Sequence, residues 1–325
     1  METAFEILIV NKRPDPGRGA TATCRSFDRG KGPGRMRSVH LTQEEAMSSF
    51  NPKAYLEPAT KALEKQFSIV QSRMPKAALV LGTGWGDLLE IAQERSMPMR
   101  DLPGFESLGE IQGHKRLVCY GQVAGKTVIV LRGRVHQYEG MHDPLVEQMV
   151  RLQVEMLVEL GVKTFVLTNA AGALGGRASV GQVVAIDGFL SMFAPPPPLT
   201  RDEFWCADDV LDPDLIRLAQ LGGPHTDKLA VLKGCYAMVR GPNFEGRAYD
   251  KAVLREHRAT CVGMSTFPEA SVLAGHRKSG VRVLALSYIT NDDKQEHSHE
   301  DNQAQAKRHA PALRVFLEHL IKLLP

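Results

Sequence analysis

The chain has 325 residues, 43% hydrophobic, 24% charged and 6% aromatic, a globular mix that calls for a largely aliphatic core and allows one large α/β domain or two small ones. Residues 1–40 hold eight Lys/Arg against four Asp/Glu, and the rest hold 32 against 33, so the net charge of +3 sits in the first segment and the neutral body makes no case for nucleic-acid binding. No uncharged apolar run of about 18 residues offers a membrane span. Cys24, Cys119, Cys206, Cys235 and Cys261 are scattered without a C-x-x-C pair, which reads as free thiols of a reducing compartment.

Residues 1–48 lack sustained periodicity, and "RPDPGRGATATCRSFDRGKGPGRMRS" reads as a disordered extension. An organelle-targeting segment is an alternative, opposed by its acidic residues and by the absence of basic charge before the first apolar run. An over-extended start is another, with Met36 and Met47 downstream. Residues 49–325 form the predicted single domain. The spacing of Leu56, Ala59, Leu63 and Phe67 predicts a helix within 51–74. "KAALVLG" predicts a strand and "GDLLEIAQER" a helix, followed by strands at "RLVCYGQ" and "KTVIVLRG" around the turn "VAGK". "DPLVEQMVRLQVEMLVELG" is a long helix ending at Gly161, and "KTFVLTN" and "QVVAID" are strands. The prolines of "APPPPLTRDEFWCADD" mark an irregular loop. "GCYAMVRG", "CVGMS" and "VRVLALSYITN" read as strands. "EGRAYDKAVLREHR", "PEASVLAGHRKSG" and "NQAQAKRHAPALRVFLEHLIKLL" read as helices, the last bent at Pro311. The alternation predicts an α/β sandwich, with a mixed, largely parallel central sheet flanked by helices.

The chemistry-bearing residues gather at predicted strand exits. "GRVHQYEG" follows a buried strand and alternates Arg134, His136 and Tyr138, which in extended chain would line one wall. In "VLGTGWGD" the G-x-G-x-G spacing does not match a dinucleotide fingerprint. A tight turn with backbone N–H groups and the Thr83 hydroxyl near a helix start remains, able to hold a small anion. "LTNAAGAL" follows a buried strand with small residues around Ala170 that permit close backbone approach. "MVRGPNFEGRAYD" places Phe244 beside Glu245, a stacking ring next to an acceptor. Met264 and Ser265 end one strand and Asn291 another. Taken singly, each has a structural explanation: a turn, a helix-terminal carboxylate, a core methionine, a cap. Their shared position at strand exits is where open α/β sheets place ligands. His114, His297 and His299 lack metal-ligand spacing, so no metal is expected.

The ordered segments "GTGWGDLL", "QGHKRLV", "GRVHQYEG", "TNAAGAL", "MVRGPNFE", "VGMSTFPEA" and "ITN" resemble the trimeric class of purine nucleoside phosphorylases, from about residue 76 to the C-terminus. The resemblance implies a phosphorylase-type fold and attack of inorganic phosphate on the anomeric carbon of a purine nucleoside. The products are free base and ribose 1-phosphate, and no cofactor is required. Carried over by motif, phosphate would meet Thr83, His114, Arg134, His136, the Ala170 backbone and Ser265. Ribose would meet Tyr138, Tyr236, Met264 and a histidine near the last helix, with His299 the better match and His297 second. The base would lie on Phe244 and be read by Glu245 and Asn291. Catalysis would rest on Asn291, Glu245, His136 and His299. A homotrimer is implied, with Phe204 of a neighbouring subunit covering the ribose, as are purine salvage and a cytoplasmic location.

Thr83 stands where the family more usually has Ser, and Asp292 where a Lys commonly follows the base-reading Asn. Asp292 and Asp293 keep a methylthioadenosine phosphorylase, or another 6-aminopurine enzyme, as the nearest alternative. A nucleoside-binding protein without catalysis is the alternative from another class, opposed by the full set of phosphate-site side chains.

Overall fold

In the computed structural model of the chain, the described residues are 5–6, 22–26, 38–41, 52–70, 73–111, 114–140, 143–194, 204–222, 229–293 and 299–325. They fall into two units, 1–51 and 52–325. In the first, β1 (Phe5–Glu6), β2 (Ala22–Ser26) and β3 (Ser38–Leu41) pair as a three-stranded antiparallel sheet. These strands lie within residues 1–48, where the sequence shows no sustained periodicity. Strands of two to five residues are too short for alternation to announce them in a sequence rich in Gly and Pro.

The second unit holds α1 (Pro52–Phe67), β4 (Ala77–Leu81), β5 (Ala92–Pro98), β6 (Leu117–Val123), β7 (Lys126–Arg132) and α2 (Pro144–Glu159). Next come β8 (Thr164–Ala173), β9 (Val183–Phe193), α3 (Pro213–Gly222), β10 (Val231–Val239) and α4 (Tyr249–Glu256). The unit ends with β11 (Cys261–Gly263), α5 (Phe267–Ala274), β12 (Arg282–Asn291) and α6 (His299–Leu323). The nine strands form one mixed sheet in the order β11-β10-β9-β12-β8-β4-β7-β6-β5.

The apolar strand runs are explained by burial on both faces. Along β4, Ala78 and Val80 join one core layer with Ala59, Leu63 and Phe67 of α1 and with residues of α2 and α5. Ala77, Leu79 and Leu81 join the opposite layer, with Leu215 of α3 and Phe316, Leu317 and Leu320 of α6. Helix α2 begins as its sequence dictates: Asp143 accepts the N–H of Leu145 at 2.9 Å, and Pro144 occupies the first turn, where its missing donor costs nothing.

Two elements differ from expectation. "GDLLEIAQER" is not a helix. Its first half turns and its second half becomes the edge strand β5, antiparallel to β6. The cause is long-range. The Arg132 guanidinium donates to the carbonyls of Gly86 (2.9 Å) and Leu89 (3.1 Å) and to Glu94 (3.0 Å), consuming acceptors that a helix would need internally. Helix α3 lies in a stretch for which no helix is expected from the sequence. Asp212 caps it, accepting from the N–H groups of Asp214 and Leu215, each at 2.9 Å.

One closure positions the site. β11 pairs with β10 in parallel and also with β8 antiparallel, with Cys261 opposite Ala173 and Val262 opposite Gly172. Strands β8, β12, β9, β10 and β11 thereby form a ring of pairings. The exits of β8 and β11 are brought side by side. No helix among the described residues is long and apolar enough to cross a membrane.

Candidate active site

A cavity opens at that junction. Its wall carries Thr83, Arg134, His136, Tyr138, Ala170 and Ser265, and also Met264, Phe244, Glu245 and Asn291. Residues more than 200 positions apart in sequence are thus brought together. They come from the turns after β4, β7, β10 and β11 and from the ends of β8 and β12.

At one end, packing is dense. Trp85, fully buried, donates to the Asn169 carbonyl at 2.9 Å and pins the Gly-rich turn against β8. A Cβ at Gly82 would lie 2.6 Å from the Thr168 carbonyl oxygen and 2.9 Å from Arg134 Nη2, so only glycine admits this approach. The turn leads into no helix, so whatever anion affinity it has comes from its own N–H groups and the Thr83 hydroxyl rather than from a helix terminus.

Arg134 is fully buried and paired with Glu269 of α5 at 2.7 Å. Its Nη1 also donates to Thr266 Oγ1 at 3.2 Å, and its Nη2 donates to the carbonyls of Thr168 and Val80. The terminal N–H groups are therefore committed to protein acceptors, and Nε is a buried donor with no partner. Arg134 is thereby a fixed cation that keeps one donor, Nε, outside these bonds. Thr266 organises this corner: its Oγ1 also accepts from Asn169 at 2.7 Å, and its φ of 76° is strained for a β-branched residue.

His136 and Tyr138 do not continue β7 as a strand; the chain enters a 3-10 turn over Gln137–Glu139. The two rings nevertheless stack at 4.6 Å, and His114 meets the His136 ring edge-on at 4.9 Å. Glu139 accepts from the His136 backbone N–H at 2.7 Å, lies 3.0 Å from His136 Nδ1 and pairs with the buried Arg116. Burial pushes the Glu139 carboxyl up, but the bonds from His136 and Arg116 outweigh it and hold it below the usual carboxylate range. Burial, only partly opposed by Glu139, holds His136 below its ordinary value. At neutral pH the ring is therefore neutral, with its hydrogen on Nδ1 facing a carboxylate that can only accept. Nε2 is left as an acceptor.

Tyr236 departs from expectation. It is fully buried behind the wall, where its hydroxyl accepts the Ser265 N–H at 3.3 Å, so it supports the site instead of lining it. His299 opens α6, but its side chain lies outside the described residues, as does the whole of His297. Asp293 receives the Gly175 N–H and Arg255, each at 3.0 Å, and Asp292 is not on the cavity wall.

The other end is open. Phe244 is 51% exposed, while the Glu245 side chain is buried and lies 3.5 Å from Lys251. Asn291 Oδ1 accepts from Thr290 at 3.0 Å. Trp205 donates to the Ser271 carbonyl at 2.6 Å and packs on the core, whereas Phe204 is 87% exposed. Among the described residues no His/Cys/Asp/Glu cluster could hold a metal.

Residues 76–322 match the Phosphorylase superfamily. The purine nucleoside phosphorylase of Rattus norvegicus is 30% identical over 272 residues, covering 77% of this chain and 90% of the relative. Purine nucleoside phosphorylase 1 of Geobacillus stearothermophilus is 32% identical over 244 residues, covering 73% and 84%. The chain belongs to the purine nucleoside phosphorylase family. A crystal structure of Schistosoma mansoni purine nucleoside phosphorylase in complex with adenosine superposes with a TM-score of 0.69 at 26% identity, covering 83% of this chain and 97% of that one. The Schistosoma mansoni isoform 2 enzyme, in complex with cytosine and ribose-1-phosphate, gives 0.71 at 24% identity, covering 85% and 99%, and shares the fold.

The phosphorylase match begins at β4 and takes in every residue that lines the cavity. Sequence reading missed Glu269, Thr266, Glu139 and Arg116. The first two sit in "STFPEA", quoted for Ser265 alone, and Glu139 in "GRVHQYEG". Their signal is a charge or hydroxyl inside an otherwise apolar stretch, which burial obliges to find a partner.

Proposed function

We propose that this protein cleaves purine nucleosides with inorganic phosphate, favouring 6-oxopurines such as inosine and guanosine, and serves purine salvage. The observation that carries this is one cavity whose wall joins candidate anion-site groups (Thr83, Arg134, His136, Ala170, Ser265) to a ring, a carboxylate and a carboxamide. Cleaving the N-glycosidic bond leaves positive charge on the ribose and negative charge on the departing base. A phosphate dianion beside Arg134 stabilises the first, and Asn291 donating to the purine ring stabilises the second; both are preorganised electrostatics. His136 Nε2 accepts a hydrogen bond from the P–O–H of the attacking phosphate dianion, whose remaining oxygens take hydrogen bonds from Thr83, Ser265 and the Ala170 N–H. Tyr138 and Met264 border the ribose. Glu245, an acceptor, matches N1–H of a 6-oxopurine and opposes the bare N1 of adenine. The active form is a homotrimer in which the exposed Phe204 covers a neighbour's ribose.

The test is turnover of inosine, guanosine and adenosine with and without phosphate. Ribose 1-phosphate formed only with phosphate, and a preference of at least about tenfold over adenosine from one unpaired buried contact, are the expected results. Equal cleavage in phosphate-free buffer would make the protein a hydrolase. Equal rates on adenosine and inosine would remove the base assignment.

A further inference from the structure

Lys251 is in an unusual place. It sits in the first turn of α4, where unpaired backbone N–H groups already concentrate positive charge, and lysine is disfavoured there. It is also buried, 6% exposed, although ammonium groups almost never lose their water without a counter-charge. The anion it meets is Glu245, with Nζ 3.5 Å from Oε1 and both side chains under a tenth exposed. The loop between them is itself closed. Asp250 accepts the Gly246 N–H at 2.7 Å, and the Lys251 N–H donates to the Gly246 carbonyl at 3.1 Å. Six residues thus fold back so that a lysine stands behind the carboxylate that faces the cavity.

We infer that Lys251 is a positioning residue for base selection: it holds Oε1 of Glu245 and leaves Oε2 as the single acceptor presented to the purine edge. This rests on the reading that Glu245 meets the base. An unheld carboxylate can rotate and meet either kind of base edge with either oxygen; one engaged by an ammonium is fixed in the orientation that faces N1–H of a 6-oxopurine. The lysine touches no substrate, so its effect falls on discrimination between bases rather than on phosphate use.

The experiment is steady-state kinetics on Lys251→Met, Lys251→Arg and Glu245→Gln, with inosine and adenosine at saturating phosphate and with phosphate varied at saturating inosine. Lys251→Met should lower the inosine-to-adenosine ratio of kcat/KM about tenfold, one charged contact's worth, and leave the KM for phosphate unchanged. Lys251→Arg should restore the ratio to within about threefold, because it returns a cation with similar reach. A wild-type ratio in Lys251→Met with a collapsed ratio in Glu245→Gln would overturn the inference and leave the base reading standing. A wild-type ratio in Glu245→Gln would overturn the base reading itself, and the inference with it. If Lys251→Met does not fold, Lys251→Gln is measured against the same ratio, since it keeps the length and removes the charge.

Discussion

Arg134 and Glu269, at one end of the cavity, are sealed from water, whereas Phe244, at the other, leaves half its surface in solvent. The sealed end is tied across the molecule: Trp85 to Asn169, Thr266 to both Arg134 and Asn169, Glu139 to His136 and Arg116. The open end has a short closed loop and a half-exposed ring. The contrast suits the two reactants. Phosphate is small and charged, and rewards dipoles fixed before it arrives. A purine is flat and largely apolar, and rewards a surface completed on binding.

The largest expected effect comes from breaking the sealed end. Arg134→Ala leaves Glu269 buried without its cation, and should cost about 3–5 kcal/mol of stability. Turnover at limiting phosphate should fall at least about 30-fold, the loss of roughly 2 kcal/mol of transition-state stabilisation. Pairing it with Glu269→Gln removes the stranded charge, so the double variant should recover stability but not turnover. Chemical denaturation and phosphate-dependent initial rates read the two separately. Turnover recovering with stability would reduce Arg134 to a structural role.

A smaller effect should follow at Glu139. Glu139→Gln should raise the KM for phosphate about tenfold and leave nucleoside KM unchanged, since a charge-assisted bond contributes about 1.5–3 kcal/mol and the amide keeps part of it. The sign of the pH dependence follows from the depressed carboxyl. A group whose folded pKa lies below its unfolded value stabilises the fold above the unfolded value, and that contribution is lost as pH falls through the folded one. The melting difference between wild type and Glu139→Gln should be full at neutral pH and shrink only below the ordinary carboxylate range. His136, depressed by burial, should titrate below the usual histidine value near 6.5 when its imidazole signal is followed by NMR in the phosphate-free protein. A titration at or above that value would contradict a neutral His136.

The same division governs what was legible in the sequence. Local signals gave the buried strands, α2 with its Asp143 cap, and the candidates at strand exits. Partners supplied by distant chain were not legible. Leu88, Leu89 and Ile91 have helical spacing, and only Arg132, forty residues on, makes that stretch a turn and an edge strand. Alternation from Arg134 to Tyr138 correctly grouped three side chains on one wall, although the backbone there is not a strand. Tyr236 could not be told from a ligand contact, because nothing in "GCYAMVRG" shows that Ser265 stands in front of it.

At the open end, Phe244→Ala should lower nucleoside kcat/KM about tenfold, within the roughly 1–3 kcal/mol of a base–aromatic stack. Stability should change by no more than about 0.5 kcal/mol, because the ring is half-exposed. Phe204→Ala tests whether that end is completed by a neighbour. Its side chain is exposed within one chain, so a loss of nucleoside affinity would have to come from a second copy. Sedimentation should then show a trimer in wild type and variant alike. An active monomer, or unchanged affinity, would reject a shared site.

The smallest expected effect is removal of residues 1–46. Among the described residues, every side chain on the cavity wall lies between Thr83 and Asn291, and the two core layers are built from Tyr55 onward. Residues 1–40 carry the whole positive excess, yet in the proposed reaction the cation that meets phosphate is Arg134, on the cavity wall. Its three strands are two to five residues long, and sheets of that size do not stabilise a neighbouring domain unless they dock an apolar face. A chain starting at Met47 should therefore keep kcat and both KM values within about twofold, and lose no more than about 0.5 kcal/mol of stability. Melting and initial-rate measurements on the two lengths decide it. Loss of phosphate-dependent turnover on truncation would give the first unit a part in the site, and the sealed end would no longer be self-sufficient.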